Sequence, residues 1–186
     1  MTHVFRVHDA TIELVEGNIV AQDTDAIGNA ANGGLLGGGG VDGAIHRAAG
    51  PELLSACRAL KTSLPGGRLA TGGAVLTPGF HLPARFVVHC VGPVYDREGD
   101  RAPALLASCY RNALRLCVEH DLGSIAFPSI STGVFGYPLG EAADVALTEV
   151  RAFLAEHRKP RLVRFVLYGR AALDAYLEQA KRFLQH

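Results

Sequence analysis

The stretch Gly33-Gly34-Leu35-Leu36-Gly37-Gly38-Gly39-Gly40-Val41-Asp42-Gly43 leaves the segment Asn29-Ala30-Ala31-Asn32 and runs into Ala44-Ile45-His46-Arg47-Ala48-Ala49. Residues without a Cβ lose the most conformational freedom on ordering and have no side chains to pack, and the usual compensation is a ligand. Glycine lets main-chain N–H groups approach an anion closely, and a helix start led by Asp42 adds free N–H donors and the positive end of the helix dipole. The stretch therefore reads as a phosphate cradle. Composition alone also allows a flexible linker, but a short apolar segment precedes the run and an amphipathic pattern follows it.

Outward from this run, short apolar or β-branched segments alternate with longer helical patterns, the signature of an α/β layer fold. Strands are expected near 12–15, 25–29, 73–77, 86–91, 124–128 and 162–167. Helical spacing is clearest over 102–120, where Leu105, Leu106, Cys109, Ala113, Leu116 and Cys117 recur on one face. Further helices are expected from Pro51 to near Lys61, from just after Tyr137-Pro138 to about His157, and from Ala171 to about Phe183. The chain shows no repeat, low-complexity tail or charge block, and residues 1–186 are read as one domain.

A formal net charge of zero, from 18 basic and 18 acidic residues, gives no global field for steering onto nucleic acid or anionic lipid. Any phosphate must be recognised locally, and nucleic acid is disfavoured as a partner. The start lacks the apolar core of a signal peptide, and no later apolar run approaches the roughly 20 residues needed to span a bilayer. A cytoplasmic location without membrane association is the expectation. Cys57, Cys90, Cys109 and Cys117 show no C-x-x-C spacing and are expected to be reduced thiols. The eight histidines are scattered, none in H-E-x-x-H or a Cys/His ligand spacing, so no metal is expected.

A second loop repeats the logic of the first: Phe127-Pro128-Ser129-Ile130-Ser131-Thr132-Gly133-Val134-Phe135-Gly136-Tyr137-Pro138 follows an expected strand and precedes an expected helix. In open α/β sheets ligands sit beyond the carboxyl ends of the strands, which would place both loops on one rim. Two cradles suggest a diphosphate. Gly38-Gly39-Gly40-Val41-Asp42-Gly43 literally satisfies the dinucleotide fingerprint G-x-G-x-x-G, but that fingerprint wants an acid about 20 positions on. Lys61 sits near that place, and no Asp or Glu occurs between Glu52 and Asp96. A P-loop fails as well, because Val41-Asp42 stand where its lysine and hydroxyl residue belong. Ser129, Ser131 and Thr132 become nucleophiles only with a base beside them, and the sequence identifies none. Water activation remains.

Three segments together resemble the macrodomain family: Asn29-Ala30-Ala31-Asn32, the run from Gly37 to Gly50, and Ser131-Thr132-Gly133-Val134-Phe135-Gly136-Tyr137-Pro138. The likeness extends from Gly17-Asn18-Ile19 to Tyr168 and is greatest to the MacroD-type bacterial branch. It implies a three-layer α/β/α sandwich with a mixed sheet, ADP-ribose as ligand, and no cofactor. It further implies removal of mono-ADP-ribose from acidic side chains of mono-ADP-ribosylated proteins, and deacetylation of O-acetyl-ADP-ribose. A non-catalytic reader of ADP-ribose is the alternative.

The resemblance puts Asn32 and Asp42, ten positions apart, at the distal ribose as the catalytic pair. An Asn amide both donates to and accepts from ribose hydroxyls, while an Asp orients a water and helps deprotonate it. A carboxylate is a weak base at neutral pH, so a substrate phosphate oxygen is expected to share the task. Asp is also a favoured N-cap, and Asp42 can equally be read as one. His46, four residues on, faces the same way and either tunes the carboxylate, contacts the ribose or simply packs. The implied ligand-binding set is Asn18 and Ile19 with Tyr168 at the adenine, Gly39, Gly40 and Val41 in the first loop, and Ser131, Thr132, Gly133, Val134 and Phe135 in the second. Three positions depart from the family pattern: Asn18 replaces an aspartate, Gly28 replaces a branched apolar residue, and Gly169 stands where relatives often carry an acid.

Overall fold

The apolar runs become strands of one sheet because their side chains alternate between two covered faces. The computed structural model describes residues 1–183. In chain order its elements are β1 Thr2–Val7, β2 Ala10–Glu16, β3 Ala26–Ala31, α1 Gly40–Ala49, α2 Pro51–Lys61, β4 Ala74–Pro78, β5 Phe86–Val91, a single-turn α3 Tyr95–Glu98, α4 Ala102–Glu119, β6 Ser124–Phe127, α5 Leu139–His157, β7 Leu162–Leu167 and α6 Arg170–Phe183. The seven strands lie in the order β1-β2-β7-β6-β3-β5-β4. Neighbours from β2 to β5 pair in parallel, and β1 and β4 close the two edges antiparallel.

Ile12, Leu14, Val88, Phe127 and Phe165 turn to one face, where they pack with Leu106 of α4, Leu147 of α5 and Leu173 of α6. Ile27, Val87, Ala126 and Val166 turn to the other and meet Ile45 of α1 and Leu53 of α2. Helices on both faces of a mixed sheet give the expected three-layer sandwich. Two strands, β5 and β7, coincide with the sequence expectation, and the other expected ones shift by one or two residues at their ends. No expectation covered β1. It is joined to β2 by a tight turn in which His8 takes a positive φ of 53°, and His8-Asp9 lacks the glycine that marks such hairpins in sequence.

Parallel pairing puts the ends of β2, β7, β6, β3 and β5 on one rim. The chain leaves β3 through α1 and α2 toward β4 and β5, but leaves β6 through α5 toward β7 on the opposite side. The point where connections diverge, between β3 and β6, is where open α/β sheets form a crevice. The β3–β6 ladder pairs Ala26 with Ile125 and Ile27 with Ala126, then ends. At the next position the Phe127 ring takes the space of a side chain: a Cβ on Gly28 would lie 2.7 Å from Phe127 Cδ1. The branched residue of the family pattern is thus replaced by an aromatic ring reaching across from the neighbouring strand.

Candidate active site

The glycine-rich run is not a linker, because Leu35 pins it: 2% exposed, it packs in the α1–α2 core. The bend around this anchor takes positive φ at Leu35 (55°), Gly37 (86°) and Gly40 (58°). Helix α1 begins at Gly40 with Gly39 as its N-cap, and no side chain makes a capping bond. The helix therefore starts two residues before Asp42, which corrects the reading of Asp42 as helix leader and cap. First-turn N–H groups of a helix have no intrahelical acceptor. The helix start borders open space, since a Cβ on Gly39 or Gly40 would meet nothing within 4 Å.

Freed from capping, the Asp42 carboxylate turns inward and is buried. Asn29 Nδ2 donates to Asp42 Oδ1 at 2.8 Å, and His46 Nε2 approaches the same oxygen at 3.4 Å, as the four-residue helical spacing allows. Asn29 and His89 are direct partners across the β3–β5 ladder. Asn29 Nδ2 also lies 3.1 Å from His89 Nδ1, and His89 Nε2 lies 2.9 Å from Thr77 Oγ1. An ionised carboxylate only accepts, which fixes the Asn29 amide with Nδ2 toward Asp42; its second hydrogen goes to His89 Nδ1. His89 then carries its proton on Nε2 and donates to Thr77. Burial, reinforced by nearby His46, lowers the His89 pKa to about 3, so the ring is neutral. Burial, with the charge of Asp42, raises the neighbouring Cys57 thiol to about 11, so it is no nucleophile at neutral pH. Asn29 Oδ1 remains a buried acceptor without a partner among the described residues.

With Oδ1 anchored, Asp42 Oδ2 faces the loop. A Cβ on Gly38 would lie 3.4 Å from Asp42 Oδ2 and 3.5 Å from Asn32 Nδ2, so both polar groups border one small space that glycine leaves free. Asn32 is held by its own loop, donating through Nδ2 to Gly37 O at 3.1 Å and accepting from Gly34 N at 3.0 Å. Gly43 is equally constrained, because a Cβ there would lie 2.5 Å from Gly38 O. Asn32 and Asp42 thus border one space and His46 meets Asp42 from the next helical turn, while Asn29, His89 and Thr77 behind them were not among the expected site residues.

The loop after β6 lies beside the first. Bonds from Gly136 N to Gly133 O at 3.0 Å and from Tyr137 N to Ser131 O at 2.9 Å close it. The N–H groups of Gly133, Val134 and Phe135 find no backbone acceptor among the described residues. Val134 is 99% exposed, Phe135 is half-buried, and Thr132 Oγ1 donates to Ser129 O at 3.0 Å. Ser131 is buried against the loop after β5, where a Cβ on Gly92 would coincide with its hydroxyl. At the far end of the rim, Tyr168 after β7 is 89% exposed and Ile19 is buried. Asn18 caps a 3-10 turn over Ile19–Ala21, its Oδ1 accepting from Val20 N at 3.2 Å. Its turn role and one free lone pair coexist.

The Macro domain family model matches residues 28–146. A macro domain-containing protein of Chlorobaculum tepidum is 53% identical over 165 residues, covering 89% of this chain and 92% of that protein. An O-acetyl-ADP-ribose deacetylase of Cronobacter sakazakii is 50% identical over 157 residues, covering 84% and 86%. Among solved structures, a variant of the Oceanobacillus iheyensis macrodomain with ADPR superposes with a TM-score of 0.97 at 48% identity, covering 100% of each chain. The Trypanosoma brucei macrodomain in complex with ADP-ribose gives a TM-score of 0.81 at 44% identity over 90% of this chain and 68% of that one. With a family model spanning more than half its length and relatives this similar, the chain belongs to the macro domain family.

Proposed function

We propose that this chain binds ADP-ribose along the rim and hydrolyses esters of its distal ribose, releasing mono-ADP-ribose from acidic protein side chains and acetate from O-acetyl-ADP-ribose. The observation that carries the reading is the Asp42 carboxylate: one oxygen is anchored at 2.8 Å by Asn29, while the other faces a space shared with Asn32. From the end of β2 to the end of β3 is three strand spacings, about 14 Å. Adenine lies between Asn18, Ile19 and Tyr168 at one end. The pyrophosphate spans the N–H groups of Gly39, Gly40 and Val41 and those of the loop from Ser131 to Phe135. The distal ribose then rests against Asn32 and Phe135.

In this arrangement Asn32 holds a ribose hydroxyl, and Asp42 Oδ2 accepts a hydrogen bond from a water beside the ester. The water adds across the scissile C–O bond: its hydroxyl goes to one fragment and its proton to the other, giving the free acid and ADP-ribose. A phosphate oxygen of the substrate shares the proton with Asp42, and His46 fixes the carboxylate from the helix side. The step uses no metal or cofactor. The test follows release of free ADP-ribose from a glutamyl-ADP-ribosylated protein and of acetate from O-acetyl-ADP-ribose. Asp42→Ala is expected to lower kcat about 10²-fold or more, as loss of an acid–base group does, with the Kd for ADP-ribose changed only a few-fold. Tight binding of ADP-ribose by the wild-type protein without turnover of either ester would make it a reader instead.

A further inference from the structure

We infer that a cavity on the far side of Asn32 receives an acidic stretch of polypeptide joined to the distal ribose, and that Arg68 and Arg97 recognise its carboxylates. The inference rests on the ADP-ribose reading above and adds to it the partner attached to the sugar. The cavity measures about 700 Å³, and its lining includes Asn32, Gly33, Arg68, Val94, Arg97 and Phe135. It therefore starts at the residues assigned to the distal ribose and continues under the loop after β5, away from the β2–β7 end where adenine lies. A group joined to that ribose has room to extend in that direction. An acetyl group has three heavy atoms, whereas a cavity of this size belongs to the range that encloses a drug-sized group. The space is built for a larger leaving group than acetate.

Charge selects which group. Arg68 and Arg97 form no ion pair among the described residues, and Glu98 is the only carboxylate that lines the cavity with them. Arg68 is also placed, not merely nearby. Leu69 N donates to Gly33 O at 3.0 Å, tying this segment to the glycine run. A Cβ on Gly33 would lie 3.1 Å from Arg68 Nη2 and 2.9 Å from Leu69 O, so glycine at 33 lets the guanidinium lie close over the backbone beside Asn32. Guanidinium groups pair with carboxylates through two parallel hydrogen bonds. Apolar walls from Leu64, Leu69 and Val91 leave room for the backbone and stems of the same segment. In a chain with no net charge, this local excess favours a segment in which acidic residues flank the modified one.

The experiment measures binding in the Asp42→Ala background, where turnover does not interfere. Its three probes are free ADP-ribose, a synthetic ADP-ribosylated glutamyl peptide flanked by glutamates, and the same peptide flanked by lysines. The acidic peptide is expected to bind about tenfold more tightly than ADP-ribose at low salt, the lysine peptide no more tightly, and the gain to shrink in high salt. Adding Arg68→Gln and Arg97→Gln should abolish the tenfold gain while leaving ADP-ribose affinity within twofold and the thermal midpoint unchanged. Equal affinity for the two peptides, or equal loss for peptide and ADP-ribose in the arginine variant, overturns the inference. An ADP-ribose dimer that binds better than the acidic peptide and loses that gain with the arginines overturns it in favour of a nucleotide polymer. Failure of free ADP-ribose itself to bind refutes the earlier reading, a separate outcome.

Discussion

Asn29 is fully buried and donates from a single nitrogen to both Asp42 and His89. Removing one partner of a buried hydrogen-bonded charge leaves that charge unsatisfied, at about 1–3 kcal/mol. Asn29→Ala is therefore expected to lower the free energy of unfolding by about that amount in denaturant titrations. It should also reduce kcat for the ribose ester about tenfold with KM nearly unchanged, because Asp42 loses its orientation and no contact with substrate is removed. A merely structural role would spare kcat in the folded fraction. At this scale the four-residue spacing of Asp42 and His46 was legible as one helix face, whereas the pairing of Asn32 with Asp42 was implied by the family resemblance. The support behind Asp42 was hidden, since Asn29 and His89 stand 60 positions apart and meet only through the β3–β5 register. A polar residue inside each of two apolar strands was the available signal, and it named no partner.

Among the elements, the β3–β6 junction decides where the crevice opens. Phe127 is fully buried and packs edge-on to Tyr110 at 5.0 Å, so its ring cannot swing away from position 28. Gly28→Val places branched carbons into that ring, and such overpacking costs about 1–3 kcal/mol. The expected result is a lower denaturant midpoint, partly restored by adding Phe127→Leu; additive losses would mean that the two positions are not coupled. Element positions were largely legible, because a period of two in the strands and of 3.6 in the helices follows from side-chain geometry alone. The start of α1 was not. A residue type that favours capping allows Asp42 to be read as the cap, whereas the helix begins at Gly40 with Gly39 as its N-cap and no side-chain capping bond.

For the whole molecule, His89 links the site to stability. It is neutral between the sheet and α2, with a folded pKa of about 3, against about 6.5 for an unfolded histidine. Between these values the unfolded chain binds the extra proton, so stability is fully present above pH 6.5 and falls as the pH drops, by up to about 1.4 kcal/mol per unit. Unfolding titrations at pH 7.5 and 5 should reveal this loss, and His89→Gln should flatten its share of the slope. An unchanged slope would show that His89 is protonated in the folded protein.

The sequence by itself determined the α/β class, most strands and helices, and the two glycine-rich turns that follow strands. Each of these is written in residues near one another along the chain, where backbone freedom and periodicity act directly. Tertiary structure alone decided that β3 and β6 part after Ile27 and Ala126, which way the Asp42 carboxylate faces, and that a cavity edged by Arg68 and Arg97 adjoins Asn32. Those depend on strand order and on packing between residues far apart in the chain, and local patterns carry no record of either.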